Sequence, residues 1–219
     1  MKIDKDSYGT IAGLWFACIA ITTVVWVMLP SSLDWLSIGV TVVAVAFMAF
    51  VTWFHRVPAR KCHGRDGEVI SVADGKVVII KKTFEDEYFH DDCIQVSVYM
   101  SFFDVHANYW PISGTITYYK YHPGRYFLAF KPKASEENEH SSTVISTPQG
   151  QFMFRQIAGT FARRISCYSH EGRSVTVGRQ CGIIKFGSRI DFFLPLTAKI
   201  EVSKGDRVHA CKSVIARLQ

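Results

Sequence analysis

The sequence predicts a mainly β protein, a compact β-sandwich or barrel, preceded by a two-helix transmembrane hairpin. Three observations carry this. Two long apolar runs without charge open the chain. From about Asp66 onward, short stretches alternate between apolar and polar residues, the period of a strand with one buried face. Between those stretches stand turns built on Gly, Asp and Asn, not long helical patterns. With 219 residues, 48% of them hydrophobic, the chain suffices for one ordinary domain and a small appendage. The division falls at residue 60. Residues 1–60 form the anchor, with helices at about 11–29 and 35–54, and residues 61–219 form the β-rich domain.

The first run is Ile11 to Leu29 and the second is Trp35 to Phe54, joined through Pro30-Ser31-Ser32-Leu33-Asp34. At ~1.5 Å per residue, each crosses a hydrocarbon core of about 30 Å. A signal peptide and a buried helical hairpin are the competing readings. A signal peptide has a shorter apolar core and no second run behind it. A buried hairpin carries a polar stripe. Lys2 and Lys5 precede the first run, and His55, Arg56, Arg60, Lys61 and Arg65 follow the second. The connecting loop has no Lys or Arg. The bias toward internal positive charge therefore predicts both ends on the cytoplasmic face of the inner membrane, with everything after Phe54. Neither span carries a charged side chain, which suits an anchor and not a channel.

Twenty-five Lys and Arg against nineteen Asp and Glu give a net charge of +6. Such a chain suits nucleic acid or an anionic membrane surface. The cluster after the second run favours the membrane, at about 1 kcal/mol per basic residue near an anionic leaflet. The same residues read equally as topology signals alone. No nucleic-acid partner is expected. Cys18, Cys62, Cys93, Cys167, Cys181 and Cys211 form no C-x-x-C pair, and the eight histidines show no H-x-x-x-H spacing. Neither a disulfide framework nor a metal site is expected.

Strands are predicted at Glu68–Val72 and Lys76–Ile80, flanking Ala73-Asp74-Gly75 as a tight turn. Ile94–Met100 and Gly114–Tyr119 alternate with period two. Lys131 to Ser142 is polar and reads as a loop. Further strands are expected at Thr143–Ser146, Gly150–Arg155, Arg164–Tyr168, Gly182–Phe186 and Ile190–Leu194. A short helix is expected over Gly159–Arg163. The stretch Ala198 to Val208, with Lys204-Gly205-Asp206 inside it, resembles the β-hairpins of lipoyl and biotinyl domains. No fixed-period repeat is present.

Four segments stand in order: Ala73-Asp74-Gly75, Phe103-Asp104-Val105-His106, Gln156 to Arg164, and Lys185 to Asp191 with Gly187-Ser188 inside it. From about Val69 to the C-terminus this set resembles the phosphatidylserine decarboxylases. The resemblance implies that the chain cuts itself between Gly187 and Ser188. Ser188 then becomes a covalent pyruvoyl group, the cofactor, and the C-terminal piece stays bound as a small subunit. It implies a membrane substrate, phosphatidylserine, turned into phosphatidylethanolamine and carbon dioxide through a Schiff base with that pyruvoyl.

The chemistry asks for particular partners. A serine hydroxyl is a weak nucleophile and needs a base. A histidine oriented by a carboxylate meets that need. A preceding glycine clears room for attack and permits an unusual backbone conformation. The resemblance puts the base at His106 and the orienting carboxylate at Asp74. Taken singly, Asp74 reads as a turn aspartate and His106 as a hydrogen-bonded core histidine. Three departures bear on this. Val72 stands where the family has Pro. Tyr109 stands where longer members carry a second His. His140 stands where an Arg is common after Asn-Glu. Arg163 and Arg164 are candidates for binding phosphate or carboxylate, with Tyr109 as a further substrate contact, although both arginines also suit an edge strand. Two rival readings stay open: a pyruvoyl decarboxylase of a soluble amino acid, and a membrane-tethered lipoyl-like adaptor without catalysis. Oligomeric state is left open.

Overall fold

A computed structural model describes residues 2–124, 138–159, 165–185 and 188–219. The chain divides into two compact units, Met1–Pro58 and Ala59–Gln219.

In the first unit, α1 (Tyr8–Met28) and α2 (Asp34–Phe54) are each 21 residues long, about 31 Å at helical rise. They begin and end within a few residues of the predicted runs. Pro30, which cannot continue a helix, follows the α1 cap at Leu29. Both helices are apolar all round, and large side chains such as Phe16, Val27 and Trp35 stay exposed. The hydroxyls of Thr22, Thr23, Thr41 and Thr52 fold back onto carbonyls one turn earlier, at 2.8–2.9 Å. Trp26 Nε1 donates to Thr41 Oγ1 at 3.1 Å and ties the two helices. Strands β1 (Lys2–Ile3) and β2 (Arg56–Val57) pair antiparallel, which brings both ends of the hairpin together.

The described residues of the second unit form strands and the connections between them. Its strands are β3 (Glu68–Ile70), β4 (Gly75–Glu85), β5 (Asp91–Met100), β6 (Ala107–Tyr109), β7 (Gly114–His122), β8 (His140–Thr147) and β9 (Gly150–Ala158). Then come β10 (Ile165–Cys167), β11 (Ser174–Val175), β12 (Gln180–Ile184), β13 (Ser188–Pro195), β14 (Lys199–Ile200), β15 (Arg207–Val208) and β16 (Val214–Arg217). Eight of them form one curled antiparallel sheet in the order β11-β7-β8-β9-β13-β5-β4-β15. Two three-stranded sheets, β10-β12-β6 and β14-β16-β3, complete the unit. Val69, Trp110, Ile184 and Ile215 from the small sheets share one core with Val96, Val98, Phe154, Ile190 and Phe192 from the large one. Trp110 meets Phe154 edge-on at 6.1 Å.

Period two is clearest in β13, where Ile190, Phe192 and Leu194 enter that core. Arg189, Asp191 and Phe193 alternate with them toward the opposite face, and they too are buried. β13 pairs with β9 on one side and β5 on the other, so it is a central strand.

Several elements differ from the sequence reading. Ala73-Asp74-Gly75 is a bend between sheets, since β3 pairs with β16 and β4 with β5. Gly75 is required there, because a Cβ would collide with the carbonyl oxygen of Tyr99. The polar stretch before Ser142 is partly strand, because β8 starts at His140 and pairs along β9. β14 and β15, read as one hairpin, pair instead with β16 and β4. The helix expected over Gly159–Arg163 falls mostly outside the described residues.

Candidate functional site

Ser188 is the first residue of β13 and is wholly buried. It sits between Met100, the last residue of β5, and Ala158, the last of β9. Its Oγ donates to the Met100 sulfur at 3.0 Å. A thioether is a weak acceptor, so the hydroxyl is desolvated without a strong partner for its proton. Gly187 lies outside the described residues, as do Arg163 and Arg164.

The chain leaves Met100 in a short turn that ends at His106. Asp104 builds the turn. Its carboxylate accepts from the Ser101 amide at 2.8 Å and the Ser101 hydroxyl at 2.6 Å, and Arg207 pairs with its other oxygen at 2.7 Å. His106 is wholly buried, with Nδ1 3.0 Å from the Asp104 carbonyl oxygen. A carbonyl only accepts, so Nδ1 carries the proton of the neutral ring, and Nε2 is the basic nitrogen. β6 then pairs with β12, Ala107 opposite Ile183, and the Ile184 amide donates to the His106 carbonyl at 3.3 Å. The 100–106 turn thus starts beside Ser188 and ends beside Ile184, four residues ahead of it. Register alone brings His106 to the stretch that leads into the 187–188 bond.

Asp74 is held by an arginine and a backbone amide. Its two oxygens take a fork from Arg60 at 2.5 and 2.6 Å, and the Ala210 amide donates to one of them at 2.9 Å. Arg60 also donates to the Ala210 carbonyl at 2.9 Å, and His209 Nδ1 lies 3.9 Å from the carboxylate. Burial alone would raise the Asp74 pKa. The hydrogen bonds and charge of Arg60, with the Ala210 amide, outweigh that and hold the carboxyl below its ordinary value. These are the partners of Asp74 among the described residues, and its pairing with His106 stays an expectation of the sequence. Arg60 takes the carboxylate, and a backbone carbonyl orients the imidazole. Tyr109 belongs with Arg60, whose guanidinium lies over its ring at 5.4 Å. Tyr109 is buried, and burial pushes its phenol well above the usual range.

Sequence reasoning missed three further groups. Arg60 was read only as a topology charge. Gln156 opened one of the ordered segments but was given no role, and Asn108 was not singled out. Gln156 Nε2 donates to Asn108 Oδ1 at 2.7 Å, and Ser141 Oγ donates to Gln156 Oε1 at 3.1 Å. All three are wholly buried and link β6 to the large sheet. Asn108 Nδ2 has no hydrogen-bond partner among the described residues, which leaves a buried donor two residues past His106. On the opposite face, Arg189 and Asp191 form a fully buried ion pair at 2.8 Å, braced by Gln95 at 3.0 Å. The signal for that pair was its alternation with Ile190 and Phe192.

A family model described as phosphatidylserine decarboxylase matches residues 47–216 of the chain. Relatives with the name phosphatidylserine decarboxylase proenzyme occur in several bacteria. The one from Amoebophilus asiaticus is 48% identical over 170 residues, covering 77% of this chain and 76% of its own. The one from Cytophaga hutchinsonii is 39% identical over 217 residues, covering 99% and 98%. The one from Porphyromonas gingivalis is 37% identical over 221 residues, covering 100% and 99%.

Proposed function

The chain belongs to the phosphatidylserine decarboxylase family, a family of carboxy-lyase proenzymes, and from that premise we propose a membrane-anchored enzyme that cleaves itself at Gly187-Ser188. Its substrate is phosphatidylserine and its product phosphatidylethanolamine. The observation that carries the reading is Ser188 itself: a buried hydroxyl on a weak acceptor, at the head of a central strand, with His106 brought to the segment before it.

Ser188 Oγ attacks the Gly187 carbonyl and the Ser188 nitrogen leaves, giving an ester with a free amine at 188. Loss of the Ser188 α-proton then expels the Gly187 carboxylate, and water hydrolyses the resulting dehydroalanine to the pyruvoyl group with release of ammonia. His106 is the base, with Nε2 taking the hydroxyl proton while the Asp104 carbonyl holds Nδ1–H. The 100–106 turn keeps that ring oriented through the Asp104–Ser101 bonds and the Arg207 pair. Asp74 and Arg60 act at a distance from the bond, by fixing the Ala210 region of the C-terminal segment.

The residues present fit a pyruvoyl group derived from Ser188. Its oxygens need donors, and Asn108 Nδ2 is a buried donor without a partner among the described residues. When formed, that group supplies the electron sink for loss of carbon dioxide. His106 is the group best poised to return a proton afterwards.

Anchoring rests on the first unit. Its two helices, Lys5–Met28 and Ser31–Phe54 with their 3-10 leads, are long and apolar enough to cross a membrane. Their polar hydroxyls are satisfied internally, which a lipid environment demands. The β1–β2 pair supports both ends on one side, the cytoplasmic side by charge. A lipid substrate favours such an anchor over the soluble-substrate rival.

Intact-mass spectrometry of the purified chain tests the reading. Two pieces are expected, Met1–Gly187 and a fragment of the 32 residues from 188 to 219 whose N-terminus resists Edman degradation. Ser188→Ala should give one inactive chain. A single active wild-type chain with an ordinary serine at 188 would overturn it.

A further inference from the structure

The β4–β5 connection folds over the face of the large sheet that bears Arg189 and Asp191, and it brings Glu87 to two histidines. His122, at the end of β7, and His140, at the start of β8, are register partners with rings stacked at 4.4 Å. His122 Nε2 lies 2.6 Å from Glu87 Oε1. One ligand atom from each of the three residues lies within 4.8 Å of the others. His140 is the residue that stands where a common arginine is replaced.

We propose that Glu87, His122 and His140 form a binding site for a divalent transition-metal ion of the Zn2+ class. Two imidazoles and one carboxylate are a donor set such ions favour, with positions left for water. Ring orientation agrees. His140 Nδ1 lies 2.7 Å from the Asn138 carbonyl oxygen, so that nitrogen carries the proton and Nε2 has the lone pair. A ligating histidine is held in this way by an outer partner. The carboxylate is oriented similarly. Glu87 Oε2 accepts from Ser142 Oγ at 2.7 Å and Arg155 Nη2 at 2.8 Å, which leaves Oε1 on the histidine side, where Tyr118 also donates at 3.1 Å. Arg155 is shared with Glu85 at 2.9 Å, so two carboxylates face one guanidinium and the surroundings retain one negative charge. In the metal-free state a proton lies between His122 Nε2 and Glu87 Oε1. The ion takes that proton's place.

The three ligands come from the β4–β5 connection, the end of β7 and the start of β8. This is why no histidine spacing announces the site. Bound metal would clamp the β4–β5 connection against β7 and β8, at a site distinct from Ser188.

The test uses the full chain in detergent, stripped with chelator and titrated with Zn2+, then with Co2+ for its absorption bands. One equivalent per chain is expected, with a rise in melting temperature. Co2+ should show ligand-field bands without the intense near-ultraviolet charge transfer of thiolate ligation, which excludes the cysteines. His122→Asn, Glu87→Gln and His140→Arg should each weaken Zn2+ binding about 100-fold or more. The melting temperature of each metal-free variant, read beside that of the metal-free wild type, serves as the folding control. Substoichiometric binding by the wild type would overturn the proposal, and so would undiminished affinity in His140→Arg and His122→Asn. None of these readouts depends on decarboxylase activity.

Discussion

Removing Arg60 should leave Asp74 as a buried carboxylate without its counter-charge. The side chains of the pair are only 13% and 11% exposed. Breaking a buried ion pair from one side costs about 3–5 kcal/mol, because the remaining charge keeps its desolvation penalty. Here the Ala210 amide still serves Asp74, so Arg60→Ala should lose about 2–4 kcal/mol. Part of that loss is the Ala210 carbonyl bond and the contact over Tyr109. A cycle of Arg60→Ala, Asp74→Ala and the double variant separates the pair from these. Its coupling should be about 2 kcal/mol or more, read from chemical unfolding of the full chain in detergent.

The pH dependence gives a second reading of the same pair. The folded-state pKa of Asp74 lies below its ordinary value of 3.8. Its contribution is therefore complete above the unfolded value and is lost as pH falls through the folded one. Arg60→Ala removes the cause of the depression, so its loss should begin at higher pH than in the wild type. A coupling near zero, or identical acid limbs for wild type and Arg60→Ala, would refute the assignment of Asp74 to Arg60. If Asp74→Asn blocked self-cleavage while Arg60→Ala left it untouched, Asp74 would act on the bond by another route.

Two further predictions follow from the same geometry. His106→Ala should accumulate uncut chain, with cleavage slowed about 10²–10⁴-fold as for loss of a general base, measured by gel densitometry over time; cleavage at the wild-type rate would confine His106 to the later proton transfer. Arg189→Met should destabilise the chain by about 3–5 kcal/mol by stranding Asp191, and Arg189→Met with Asp191→Leu should recover most of it, both by thermal unfolding.

The fold was legible where local patterns suffice. The two apolar runs need only length and charge to be read, and both helices start and stop close to those limits. Period two located β5 and β7, and β9 and β13 were expected as strands too, although β13 buries both of its faces. The reading failed where pairing is non-local. Ala73-Asp74-Gly75 has the composition of a hairpin turn, yet the strands on either side join different sheets. The start of β8 was hidden because His140, Ser141 and Ser142 are polar, and their partners are Glu87 from the β4–β5 connection and Gln156 across the ladder on β9. The site behaves likewise. Ser188 and His106 were proposed from motif order. Arg60 was not, because nothing within fourteen residues of Asp74 marks a guanidinium as its partner and not as a membrane charge.

The same topology would let the chain keep its site after the proposed cut. Residues 188–219 supply β13 at the centre of the large sheet, β15 at its edge, and β14 and β16 in a smaller sheet with β3. Ile190, Phe192, Leu194 and Ile215 are wholly buried among residues of the N-terminal portion. Each such side chain contributes about 1.5–3 kcal/mol by burial, and each is indifferent to whether the chain is continuous at Gly187. Asp191, with Arg189 beside it, adds a hydrogen bond from Gln95 of β5 across the sheet. A small fragment inserted between β5 and β9 can leave only by unzipping both ladders. The proposed scission at the head of a central strand would therefore free a new terminus at position 188 while the strand behind it stays in register with Met100 and Ala158.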